Sequence, residues 1–121
     1  IIANAFPHWF TSEFRKYMWN EDGFPADQHW LLALAAPRPL YVASATEDQW
    51  ADPKGEWMSA YLTSEVYALF GLDGLGENMP GPDTPDKLGH VGYHLRTGSH
   101  NILAYDWQQY ISFANQYFKD L

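Results

Sequence analysis

The sequence predicts an α/β fold with parallel strands, on three observations. Two short apolar runs, Leu40–Ala45 and His90–Leu95, have the length and flanking turn residues of buried strands. Helical patterns lie before, between and after them. A strand, a helical crossover and a second strand form the order of a parallel pair. Two strands are too few for an independent sheet, so the pair is expected to belong to a larger one.

The elements follow in order. Residues 1–23 carry Pro7, His8, Trp9 and Phe10, then a short helix expected from Thr11. Thr11 would cap it, Glu13 would complement its dipole, and Phe14 and Met18 would share a face. Asn20–Ala26 is turn-rich, with Gly23 and Pro25. A second helix is expected from Asp27, as N-cap, to about Ala35, with Trp30, Leu31 and Leu34 as its apolar side and Pro37 and Pro39 ending it. Thr46–Gly55 is a polar loop. Helices are then expected over Trp57–Leu62 and Ser64–Phe70, the second capped by Ser64. Gly71–Leu88, interrupted by several glycines and prolines, reads as a long irregular loop, either functional or a surface excursion. After the second strand, Leu103, Trp107, Tyr110, Ala114 and Tyr117 recur at the three- and four-residue spacing of one helical face.

Composition limits the function classes. The 121 residues can build one modest core, and the 46% apolar content is that of a globular chain. Aromatic residues make up 17%, including 6 Trp and 8 Tyr; this surplus is either surface that stacks on a ligand such as a sugar, or packing against a neighbouring segment. The formal net charge of -8 argues against nucleic acid, whose phosphates call for basic patches. The absence of cysteine excludes disulfides, thiolate zinc sites and a cysteine nucleophile. No apolar run approaches the roughly 18 residues of a membrane span. The first residues lack the basic region of a signal peptide, and the chain is expected to begin in mid-fold.

The chemistry is expected around Val91–Asn101, VGYHLRTGSHN, where a strand gives way to turn residues at Arg96, Thr97, Gly98 and Ser99, followed by His100. A histidine between a strand and a C-terminal helix is where α/β-hydrolases place their general base. It is equally placed to cap the last helix. Such a base needs an upstream acid, and Glu47 and Asp48 follow the first strand, in the acid-then-histidine order of that fold. Either could instead be a solvated loop carboxylate. Trp50, two residues beyond Asp48, would stack on a sugar ring or pack half-buried. His90, His94 and His100 match no familiar metal spacing, so no metal site is expected; His29 reads as a core histidine. None of Ser12, Ser44, Ser59, Ser64, Ser99 and Ser112 sits in a G-x-S-x-G elbow, so no nucleophile is evident.

Four blocks in collinear order, NAFPHWF (Asn4–Phe10), DQHWLLALAAPRPLYV (Asp27–Val42), EDQWADPKGEW (Glu47–Trp57) and GYHLRTGSHN (Gly92–Asn101), closely resemble bacterial glucuronoyl esterases of carbohydrate esterase family 15. The resemblance spans nearly the whole chain. It implies the C-terminal part of an α/β-hydrolase, a three-layer αβα sandwich that is incomplete as a domain over residues 1–121. It implies a serine-type esterase, with no metal or organic cofactor, cleaving 4-O-methyl-glucuronoyl esters between glucuronoxylan and lignin alcohols. It places the protein outside the cytoplasm, secreted or periplasmic. By the family pattern His100 is the catalytic histidine, Asp48 matches the acid many bacterial members carry after this strand, and Trp50 matches a tryptophan lining the glucuronate pocket. Other members use a glutamate earlier in the chain.

The family's G-C-S-R-x-G-K motif, with its serine, its oxyanion-stabilising arginine and its substrate-binding lysine, is absent from these residues. The missing N-terminal portion is therefore expected as a partner of this chain, which alone should be inactive. Two other readings stay open: a different α/β-hydrolase specificity such as acetyl-xylan deacetylation, and a non-catalytic carbohydrate-binding domain using the aromatic surplus.

Overall fold

Strand β1 (Leu40–Ala45) and strand β2 (Val91–Arg96) pair in parallel, in register from Leu40 opposite Val91 to Ala45 opposite Arg96. This is the pair expected from the sequence. The architecture is that of a computed structural model describing residues 2–118. A helical turn α1 (Ile2–Ala5), three short 3-10 segments and helix α2 (Gln28–Ala33) precede β1. Helix α3 (Pro53–Ala68) makes the crossover and α4 (Ala104–Ala114) follows β2. The core joins Trp57, Ala60 and Tyr67 of α3 to Val91 and Tyr93 of β2 and to Leu75. Its two tyrosines keep their polar tips satisfied: Tyr67 Oη donates to the Arg38 carbonyl at 2.5 Å and Tyr93 Oη to the Pro53 carbonyl at 3.1 Å. Burial pushes the Tyr93 phenol up to about 12, so it stays a donor at neutral pH.

The crossover is one helix of 16 residues rather than two. Asp52 caps it by accepting from the Gly55 amide at 3.1 Å, and Pro53 occupies the first turn, where its missing N–H costs nothing. Ser64 is no cap. It sits inside the helix, where its hydroxyl bonds back to the Ala60 carbonyl at 3.4 Å and accepts from the Leu75 amide at 3.0 Å. That contact fixes the start of the long loop. A Cβ on Gly74 would fall 2.1 Å from Ser64 Cβ, so only glycine fits there.

Further departures concern faces. Helix α2 has the Asp27 cap, whose carboxylate accepts from Gln28 N at 2.7 Å. It turns Leu32 and Ala33 inward, however, while Trp30, Leu31 and Leu34 are exposed. The reason lies in α3, against which α2 packs: Thr63 Oγ1 approaches the His29 carbonyl at 2.9 Å and sets the helix rotation. His29 is consequently half-buried, not a core residue. The segment after Thr11 is a 3-10 helix, Ser12–Tyr17, without a side-chain cap; Phe10 stacks on Phe14 at 4.7 Å and Phe14 meets Phe24 edge-on. In α4 the buried face carries Asp106 and Phe113, leaving Leu103 and Trp107 exposed.

The loop after α3 covers the edge of β2 rather than straying over the surface. Asp86 and Tyr93 exchange backbone hydrogen bonds at 2.9 and 2.8 Å, and the Asp83 amide donates to the Leu95 carbonyl at 2.8 Å. An otherwise open strand edge is thereby paired.

Candidate active site

Both strands point their carboxyl ends at one place, the position where open α/β sheets bind ligands. The loops beyond them are stitched together as a continuation of the sheet. The Thr46 amide donates to the Arg96 carbonyl at 2.9 Å, the Glu47 amide to the Gly98 carbonyl at 2.9 Å, and the Gly98 amide to Thr46 Oγ1 at 3.0 Å. Gly98 adopts φ +120°, which a residue with a Cβ rarely reaches. This stitching carries Asp48 and His100 to each other: His100 Nδ1 lies 2.5 Å from Asp48 Oδ2. A carboxylate can only accept, so Nδ1 carries the proton and Nε2 is the ring atom left for chemistry. The His100 ring is 87% exposed, the Asp48 side chain only 16%.

Of the two acids after β1, Asp48 is thus engaged and Glu47 is exposed. Trp50 does not reach the histidine–aspartate cavity. It is 65% exposed and edge-on to Phe6 at 5.8 Å, while Phe6 stacks on Trp9 at 4.3 Å. Its stacking surface forms one aromatic group with Phe6 and Trp9.

The cavity beside His100, about 510 Å³, is lined among others by Asp48, Glu56, Arg96, Asn101 and Asp106. Glu56, from the first turn of α3, accepts from Ser44 Oγ at 2.6 Å. Burial holds its carboxyl above the ordinary value, with the Ser44 bond opposing.

Beneath the loop lies a buried polar chain that sequence reasoning does not anticipate. Arg96 is the last residue of β2, not part of the turn, and is 4% exposed. Its Nε donates to Asp106 at 3.1 and 2.9 Å. His94, fully buried, places Nε2 2.8 Å from Asp106 Oδ1 and Nδ1 3.0 Å from the Tyr41 hydroxyl. Burial pulls His94 below its ordinary value despite Asp106, and burial pushes the Tyr41 phenol up. The tautomer follows: Tyr41 donates to Nδ1, and Nε2–H donates to the carboxylate. Burial alone would raise Asp106; the Leu103 amide (2.7 Å), the His94 bond and the Arg96 charge outweigh it, and its carboxyl lies below the usual range. Both ring nitrogens of His94 are therefore committed, and His90 packs against Tyr117. The sequence did hold a signal: His94 and Arg96 alternate in a strand too apolar to be exposed, and Asp106 stands three residues after Leu103, where a carboxylate reaches back to a free amide at the helix start.

Parallel strands with an acid beyond one and a histidine beyond the next, in contact at their carboxyl ends, define an α/β-hydrolase. Comparisons with known proteins narrow the class. A family profile described as "Glucuronyl esterase, fungi" matches residues 2–71. The chain is 48% identical over 117 residues to carbohydrate esterase MZ0003 from an unknown prokaryotic organism, covering 96% of this chain and 27% of that protein. It is 33% identical over 64 residues to 4-O-methyl-glucuronoyl methylesterase 1 of Phanerochaete chrysosporium, covering 53% of this chain and 14% of that protein. Among solved structures, a promiscuous CE15 esterase from a marine bacterial metagenome superposes with TM-score 0.91 at 47% identity, over 97% of this chain and 30% of that one. A glucuronoyl esterase from Solibacter usitatus does so with TM-score 0.87 at 48% identity, over 94% and 29%. This chain belongs to the glucuronoyl esterases of carbohydrate esterase family 15. It spans less than a third of the length of these relatives.

Proposed function

We propose that this chain is the C-terminal part of a serine-type glucuronoyl esterase, supplying the catalytic histidine, His100, and its orienting acid, Asp48. The observation that carries the reading is the 2.5 Å contact between His100 Nδ1 and Asp48 Oδ2 at the carboxyl ends of paired parallel strands. The nucleophilic serine and the oxyanion donors come from a segment outside these 121 residues. The substrate is an ester of 4-O-methyl-glucuronate joining glucuronoxylan to a lignin alcohol. No cofactor enters the mechanism. Such a substrate lies outside the cell, and the protein acts there; no helix among the described residues is long and apolar enough to cross a membrane.

The chemistry is acyl transfer in two halves. His100 Nε2 takes the proton of the serine hydroxyl as the oxygen attacks the uronic ester carbonyl. Asp48 holds the ring in the Nδ1–H tautomer and stabilises the imidazolium that forms. The intermediate collapses, His100 returns the proton to the departing alcohol, and the same ring then activates water to release glucuronate. Trp50, grouped with Phe6 and Trp9, offers an exposed stacking surface two residues beyond Asp48, on which the sugar ring would rest.

The test is hydrolysis of benzyl glucuronate and of acetylated xylan by the full-length protein, wild type against His100→Ala. Activity on the glucuronate ester that collapses in the variant is the expected result. Hydrolysis of acetyl groups alone would replace this specificity with another, and a folded protein inactive on both would leave a binding domain.

A further inference from the structure

His100 has an exposed ring whose side chain touches the described structure through one hydrogen bond, to Asp48. A general base must nevertheless hold its geometry closely, and a displacement of about 1 Å costs on the order of 10²-fold in rate. What fixes it has to act through the backbone. The carbonyls on either side of His100, those of Ser99 and Asn101, both accept from a single nitrogen, Arg96 Nη2, at 2.8 and 2.9 Å. Arg96 Nη1 donates to the Thr97 carbonyl at 3.0 Å. The same guanidinium is gripped through Nε by Asp106, which also accepts from His94 and from the Leu103 amide. The loop is thus folded around one cation, and that cation is anchored to α4, to β2 and, through Tyr41, to β1.

From this geometry we infer that Arg96 is a positioning residue for His100: its guanidinium clamps the carbonyls of the residues before and after the histidine and so holds the ring on Asp48. The inference rests on the reading of His100 as the general base. Asp106 completes the device by fixing the guanidinium plane. Lysine cannot substitute, because one ammonium cannot span Asp106, Thr97, Ser99 and Asn101 as the planar fork does. An arginine serving only to close the loop would predict lost stability with unchanged turnover per folded molecule.

The experiment uses the full-length protein, with Arg96→Lys as the variant and two readouts. In the first, kcat on benzyl glucuronate is expected to fall about 10²-fold while KM stays within about twofold, because ring placement and not substrate binding is disturbed. In the second, 15N-histidine-labelled protein reports the His100 tautomer through couplings to its carbon-bound protons. The wild type is expected to show a protonated Nδ1, and Arg96→Lys the tautomer mixture also seen in Asp48→Asn. A folded Arg96→Lys protein with wild-type kcat and an unchanged Nδ1 signal overturns the inference. If Arg96→Lys does not fold, Asp106→Asn decides: a fall in kcat with the same tautomer mixing supports the clamp, and wild-type values of both reject it. A wild type inactive on glucuronate esters would sink the proposed substrate, yet the tautomer readout would still judge the clamp.

Discussion

Ser99 and Asn101 offer their carbonyls to the same Arg96 nitrogen, so the loop bearing His100 is closed at both ends by one buried charge. On the other side of the site Asp48 is held by its own turn, its amide donating to the Ala45 carbonyl at 3.1 Å. Each half of the histidine–aspartate pair thus has backbone anchors of its own, and the Glu47 amide, donating to the Gly98 carbonyl at 2.9 Å, ties the two loops together.

None of these anchors uses the Asp48 carboxylate, whose hydrogen bond is to His100, so the side chain is separable from the fold. Asp48→Asn should leave the melting temperature close to wild type while lowering kcat of the full-length enzyme by about 10²–10⁴-fold, the worth of a positioned general base. Glu47→Gln, beside it but exposed, should change kcat little and stability by no more than about 0.5 kcal/mol. Equal losses in both variants would place the acid elsewhere.

The buried chain gives stability a defined dependence on pH. His94 has its folded value lowered, so the unfolded chain takes up that proton first. Its contribution is complete above the ordinary 6.5 and is lost as pH falls from there through the lowered folded value. Asp106, also lowered, contributes fully above 3.8 and loses its share as pH falls further. Glu56 runs the other way: its raised value makes its share complete below 4.5 and lost as pH rises through the folded value. Urea unfolding across pH should show a decline beginning near 6.5, and His94→Gln should remove that first decline while leaving the acid limb. A decline of the same size in His94→Gln would refute the assignment.

The strands and the meeting of Asp48 with His100 could be read from sequence because short apolar runs, turn residues and chain order all report local facts. The rest depended on contacts between distant segments. The rotation of α2 is set by Thr63, 34 positions away from His29, and nothing in the α2 pattern encodes it. The start of α3 was in fact legible, since Asp52-Pro53 is a cap followed by a first-turn proline. Arg96 reads as turn chemistry because a lone arginine beside Thr97 and Gly98 looks solvated; only the placement of Asp106 beneath it makes burial affordable. Trp50 follows Asp48 in sequence but faces Phe6, a residue from the opposite end of the first half of the chain.

Gly74 tests the junction between α3 and the loop covering β2. Alanine there would drive a Cβ to 2.1 Å from Ser64 Oγ, the group that accepts from the Leu75 amide. Gly74→Ala should cost about 1–3 kcal/mol, the range of overpacked sites, measured by denaturant unfolding. Gly71, at φ +71° with open space around it, should lose only the left-handed backbone preference on substitution by alanine, about 1 kcal/mol. The reverse order of the two costs would show that the Ser64 contact yields easily.

Trp50 separates binding from catalysis. It lies away from the His100 cavity, is largely exposed, and rests edge-on against Phe6, which in turn stacks on Trp9. Removing its ring leaves Asp48 and its turn intact, so the proton-transfer geometry should survive. What disappears is the stacking surface proposed for the sugar, worth about 0.5–1.5 kcal/mol for an aromatic contact. Trp50→Ala should therefore raise KM for benzyl glucuronate by up to about tenfold with kcat nearly unchanged, since 1.4 kcal/mol is a factor of ten. Phe6→Ala should do the same more weakly, by releasing the ring that supports Trp50. A fall in kcat with KM unchanged would instead make Trp50 a support of the Asp48 loop, and would move the sugar site to the cavity beside Glu56.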